Sequence, residues 1–219
     1  MVAFTKPAGR VSGLAQLEAR RLQHHYLGAE HLLLGLLVHD DNLAAEVLRA
    51  HGLDLATVRG EVDRLIAQGI LPAPQPDNAE LLATLGVDLE AVHGRLQATF
   101  GDQAYRQAAQ RVQHRPTQAV THQAVGAPPL TMSRRALGFA SDEAITRNQE
   151  IGPEHLLLGL LREAQDPIEA DLYPQERRQR GLLGLPEHGP HPIRLLVEAR
   201  GLTLNVLRAA LLSRLDPAR

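Results

Sequence analysis

One stretch of eight residues occurs twice in this chain. Glu30-His31-Leu32-Leu33-Leu34-Gly35-Leu36-Leu37 returns unchanged as Glu154-His155-Leu156-Leu157-Leu158-Gly159-Leu160-Leu161. An identity of that length within 219 residues marks an internal duplication, so the fold must be assembled from two related units. The repeated segment is apolar nearly all round. A helix of that kind is stable only when buried on every side, which places it at the centre of each unit.

A second element recurs three times. Leu48-Arg49-Ala50-His51-Gly52-Leu53-Asp54 is echoed by Leu82-Ala83-Thr84-Leu85-Gly86-Val87-Asp88 and, more loosely, by Val197-Glu198-Ala199-Arg200-Gly201-Leu202-Thr203. Each reads as a helix that ends at glycine, followed two residues later by an oxygen-bearing side chain able to cap the next helix. This grammar predicts helices over Arg10–Gln23, Glu30–Val38, Asn42–Ala50 and Leu55–Ile66 in the first unit. In the second it predicts Ser133–Thr146, Pro153–Arg162, Ile193–Arg200 and Leu204–Leu215. In the first helix Val11, Leu14, Leu17 and Leu22 are expected inward, with Glu18 and Arg20 outward. No segment alternates strictly between apolar and polar residues, and aromatics are only 3%, so no strand is expected. The fold class is all-α.

Three regions follow: a first unit at 1–69, a Pro-rich linker with an inserted helical half-unit at 70–129, and a second unit at 130–219. The half-unit is expected at Glu80–Phe100, with a polar helix near Tyr105–Val112. The second unit carries its own insertion at about 166–192. Gly159 and Gly201 lie 42 residues apart where Gly35 and Gly52 lie 17 apart. A connection that long is either functional or mobile.

Composition excludes several classes of function. Lys plus Arg number 23 against 25 Asp plus Glu, for a net charge of -2, which argues against nucleic-acid binding. The run Arg177-Arg178-Gln179-Arg180 reads as a solvated loop beside Glu176 and Glu187. The absence of cysteine removes thiolate metal sites and thiol nucleophiles, and fits a reducing compartment. No signal-like or membrane-length apolar segment occurs, so a cytoplasmic protein is expected. No His-Glu-x-x-His pattern is present, and His31 and His155 read as packing groups rather than metal ligands. No metal, cofactor or catalytic constellation is expected.

The repeat resembles the Clp repeat, the N-terminal domain of Clp-type AAA+ unfoldases, and most closely that of ClpC. The resemblance rests on Phe4-Thr5, Glu18-Ala19, His24-His25-Tyr26-Leu27-Gly28 and the duplicated Glu-His-Leu-Leu-Leu-Gly-Leu-Leu. It covers 4–69 well and 131–162 with 193–215 less well. It implies two pseudo-symmetric four-helix units packed into one module. No Gly-x-x-x-x-Gly-Lys-Ser/Thr loop occurs, so the expectation is a stand-alone, non-enzymatic recognition module without the motor.

The same resemblance supplies the candidate site residues. Glu30 and Glu154 match the glutamates that accept the guanidinium of phosphoarginine, while N–H groups at a helix start hold the phosphate. The residue before each glutamate is Ala29 or Pro153 where the family has threonine, and proline has no N–H to offer. Phe4 and Leu130 match positions of a groove for peptides or cyclic-peptide antibiotics. The implied partners are Clp ATPase and protease components or their substrates, with the protein as adaptor or decoy. The alternative is a structural or regulatory interaction module that works through its insertions, with the ancestral pocket inactive.

Overall fold

The glycine inside each duplicated helix decides how the helices stack. At Gly35 an added Cβ would lie 2.6 Å from the Val11 carbonyl oxygen and 2.8 Å from the Ala15 nitrogen. At Gly159 it would strike the Ala136 carbonyl and come 2.8 Å from the Ala140 nitrogen. Only glycine lets two helix backbones approach this closely, and alanines line the other side of both contacts.

The computed structural model describes residues 3–75, 88–101, 103, 130–131, 134–168 and 174–216. Its helices are α1 (Lys6–Arg21), α2 (Ala29–Val38), α3 (Leu43–Ala50), α4 (Leu55–Ala67), α5 (Leu89–Phe100), α6 (Arg134–Thr146), α7 (Pro153–Glu163), α8 (Pro174–Leu182), α9 (Pro192–Glu198) and α10 (Leu204–Leu215). The described residues are mostly helical, and the fold is all-α. Met1–Pro74 and Pro129–Arg219 pack as one unit, and Gln75–Pro128 form another, which includes α5. The helix expected near Tyr105–Val112 and the start of the Glu80–Phe100 half-unit lie outside the described residues.

Caps set many of the boundaries. The Thr5 hydroxyl accepts from the Ala8 N–H, which starts α1 four residues before the expected Arg10. Asp54 accepts from Thr57 and Thr203 from Val206, each after a glycine of positive φ, Gly52 at 75° and Gly201 at 69°.

Within the larger unit the two repeats share one core. Helices α2 and α7 pack against each other; α3 packs on α7, and α9 packs on α2. The same reciprocity links α3 with α10 and α9 with α4. One continuous apolar cluster runs from Leu33 and Leu34 to Leu157 and Leu158.

Short parallel backbone pairings strengthen this exchange, contrary to the expectation of no strand. Strand β1 (Tyr26–Leu27) pairs with β2 (Leu130–Thr131), and Phe4 bridges to Ile151. Each segment that enters a first helix thus bonds to the segment that enters the other repeat's central helix. Two-residue strands are too short to show as alternation, which is why the sequence is silent about them.

Helix α1 also differs from its expected face. Glu18 is buried and Leu17 is exposed, so the inward stripe is Ala8, Val11, Ala15, Glu18 and Ala19. The close approach at Gly35 leaves room only for small residues there. Glu18 is tolerated because the Arg59 guanidinium of α4 and Arg21 pair with it, the latter at 2.8 Å. The second unit repeats the arrangement: Glu143 of α6 meets Arg208 of α10 at 2.7 Å and Arg147 at 2.8 Å. Their charges hold both carboxyls below the usual range against the opposing effect of burial.

Gly35→Ala should cost about 1–3 kcal/mol by forcing α1 and α2 apart. Gly60→Ala in α4, where nothing lies within 4 Å of the new methyl, should gain about 0.5–1 kcal/mol. Urea unfolding of both variants tests this pair. A gain from both would contradict the close approach.

Candidate functional site

The starts of α2 and α7 bring the two candidate glutamates into equivalent local settings. Gly28 and Gly152 are the N-caps, with extended backbone and no side chain. A Cβ on either glycine would fall on the carboxylate of Glu30 or Glu154, so each carboxylate folds back over its own helix start. There it meets its own backbone N–H and the positive end of the helix dipole. The histidine that follows turns in: Gly28 N–H donates to His31 Nδ1 at 2.9 Å, and Gly152 N–H to His155 Nδ1 at 3.0 Å.

Beyond that shared geometry the two recesses differ. In the first repeat His31 Nδ1 accepts from Gly28, so its proton sits on Nε2, which faces His24 Nδ1 at 3.0 Å. His24 Nε2 in turn donates to the Pro72 carbonyl at 3.0 Å. The chain of bonds runs in one direction and leaves both imidazoles neutral. Burial lowers the pKa of each, despite the nearby Glu30.

Tyr26 stacks on His24 with ring centroids 5.0 Å apart and meets His31 edge-on at 5.1 Å. Together these rings roof Glu30, which is 2% exposed. Burial opposes ionisation of Glu30, but the carboxyl is held below the usual range, with the Tyr26 hydroxyl and its own N–H favouring the carboxylate.

Among the described residues, the second repeat has no such roof. The hydrogen bond from His24 N–H to the Ala19 carbonyl has its counterpart in Gln149 to Ala144, which places Gln149 where the first repeat has His24. The chain is one residue shorter before Ile151, and Glu150 stands at the position that matches Tyr26. The Glu154 side chain is 22% exposed against 3% for Glu30. The His155 Nε2 that would have met an imidazole is buried without a partner.

His24, Glu30 and His31 form one cluster with ligand-like atoms within 4.8 Å of one another, a grouping that sequence spacing did not reveal. Their ring nitrogens are already committed to the hydrogen-bond chain from Gly28 to Pro72. The packing and hydrogen-bonding reading of His31 therefore describes its contacts. Phe4 is 48% exposed beside its bridge to Ile151. Leu130 is placed by its backbone pairing to Tyr26, and the structure describes nothing of its side chain.

The run Arg177–Arg180 differs from its expectation as a loop: it lies in α8. Arg177 and Arg178 are exposed, whereas Arg180 is partly buried and its Nε donates to the Pro186 carbonyl at 2.7 Å. His191, the N-cap of α9, accepts from Ile193 N–H and faces Glu163 at 3.6 Å.

Burial drops His191 from 6.5 to about 4. A neutral imidazole thus favours the folded state above pH 6.5, and this share of stability is lost as pH falls towards 4. His191→Asn keeps a capping oxygen and removes that titration. Its melting temperature should fall less than that of the parent between pH 6.5 and 4; parallel curves would exclude His191 as a source of acid sensitivity.

Among the described residues no helix is long and apolar enough to cross a membrane. Residues 3–77 match the Clp repeat (R) N-terminal domain family. The chain is 53% identical over 66 residues to a probable ATP-dependent Clp protease ATP-binding subunit of Chlamydia pneumoniae, a match covering 30% of this chain and 8% of that protein. It is 46% identical over 67 residues to the chloroplastic chaperone protein ClpC of Pisum sativum, covering 31% of this chain and 7% of that one. The chain thus spans less than a tenth of the length of these relatives. Among solved structures, the N-terminal domain of the chaperone ClpD from Arabidopsis thaliana aligns over 97% of this chain and 94% of that one, with 18% identity and a TM-score of 0.49. Residues 3–77 thus carry the Clp repeat (R) N-terminal domain signature, and within that stretch the chain is similar to the ATP-binding subunits and ClpC chaperones of Clp systems.

Proposed function

We propose that this chain is a non-catalytic, cytoplasmic recognition module of a Clp system, which binds arginine-phosphorylated or other substrate peptides and acts as adaptor or decoy. The observation that carries the reading is the duplicated helix start at Glu30 and Glu154. A carboxylate there sits beside backbone N–H groups, and a phosphorylated guanidinium needs both a carboxylate and N–H donors. The exposure of Glu154 favours the second recess as the working one, although Pro153 removes one donor from it. The half-exposed Phe4 gives an aromatic surface for a peptide or a cyclic-peptide antibiotic, and Leu130 holds the second groove position that the family resemblance implies.

Calorimetric titration with free phosphoarginine, with arginine and phosphoserine as controls, tests the reading. Saturable binding by the parent should be lost in Glu154→Ala and kept in Glu30→Ala, provided that both variants melt cooperatively. Absence of heat with the parent would overturn the phosphoarginine reading and leave Clp components and unmodified peptides as the partners to test.

A further inference from the structure

The turn that follows α8, in the long connection between α7 and α9, packs on Tyr26 of the first recess. In the first repeat the equivalent connection, from α2 to α3, is only His39–Asn42. In the second it leaves the core and returns, with Ile168 N–H bonded to the Gly189 carbonyl at 2.9 Å. Between those points α8 ends in a tight turn. Gly184 has φ 67°, Leu185 N–H bonds to the Arg180 carbonyl at 2.9 Å, and Arg180 Nε bonds forward to Pro186.

That turn sets Leu183 and Leu185 inward. With Tyr26 they form an apolar cluster separate from the main core, in which Tyr26 is 1% exposed. The charge of Arg180 acts on both the Tyr26 hydroxyl and His191, each of which also feels Glu30. Beneath the turn, Glu30 Oε1 and the Tyr26 hydroxyl are buried without a well-formed hydrogen bond, and the phenol acts on the carboxylate only from beyond normal bonding geometry. A carboxylate oxygen and a phenol left in that state suit a ligand that brings N–H donors.

We propose that residues 174–190 are an intramolecular strap that closes the Glu30 recess: Leu183 and Leu185 seal Tyr26, and Arg180 supplies the cation that an arginine-bearing ligand would otherwise bring. The two recesses of the duplicated fold are then unequal, one open at Glu154 and one available only when the strap lifts. The ligand class rests on the reading of the recesses as guanidinium sites; the closure itself does not.

Two strap variants test this on the full chain. One is Leu183→Glu with Leu185→Glu; the other joins Ile168 to Gly189 through a short glycine link in place of 169–188. Nitration of Tyr26 by tetranitromethane, read by mass spectrometry, reports the closure. Phosphoarginine titration reports the ligand.

Nitration should rise at least about tenfold in both variants, and the number of phosphoarginine sites should go from one to two, with Glu30→Ala cancelling the second. Unchanged nitration in a variant that still melts cooperatively overturns the strap. Raised nitration with the stoichiometry still at one overturns its control of a ligand site. Raised nitration with no phosphoarginine bound at either recess upholds the closure and overturns the guanidinium reading instead.

Discussion

The close contact of each glycine-bearing helix with its neighbour's backbone is the constraint from which the rest of the larger unit follows. Gly35 against Val11 and Ala15, and Gly159 against Ala136 and Ala140, remove any space for side chains between α1 and α2 or between α6 and α7. Helix faces that near must be built from alanine and valine, and apolar bulk moves to the far side of the central helices. There α2 and α7 present leucines to each other and to the third and fourth helices of both repeats. A leucine-rich helix buried all round thus finds cover from both copies of the duplication, which neither copy could provide alone.

The buried charges recur with the duplication. On α1 Glu18 is buried where Arg59 of α4 meets it; Glu143 and Arg208 repeat the pair. These paired charges at two equivalent places are weak evidence of net stabilisation, since burying ions costs much of what their attraction returns. In the first repeat the helix start adds a chain of neutral imidazoles, Gly28 to His31 to His24 to Pro72, that ties the beginning of the linker to the core. In the second repeat Gln149 and Glu150 stand at the positions of His24 and Tyr26, and the Glu154 side chain is 22% exposed against 3% for Glu30.

Much of this fold was legible in the residues. The duplicated octapeptide, the glycine stops at Gly52 and Gly201, and the caps Asp54 and Thr203 each depend on short-range geometry, and short-range geometry is written locally. The inward Glu18 was not legible, because a carboxylate at helical spacing looks like a solvated face until its partner 41 residues away is placed. Nor were the strand pairings, whose hydrogen bonds join residues more than 100 apart with two residues on each side. The arginine run read as a loop because charged residues between prolines and glycines look solvated, whereas it lies in a helix whose Arg180 bonds forward to Pro186.

By itself the sequence determined that the chain is helical and duplicated, where its main helices stop, and which two glutamates begin the central ones. These follow from periodicity, capping and identity, which need no knowledge of the distant chain. Only the tertiary structure decided that the two glutamates are unequal. Both belong to identical octapeptides, so the difference lies in what covers them: Tyr26, His24 and the turn at Leu183–Leu185 over one, and partial solvent over the other. Burial is a property of neighbours brought together by folding, and it sets a carboxylate's charge, access and partners more strongly than its local sequence does.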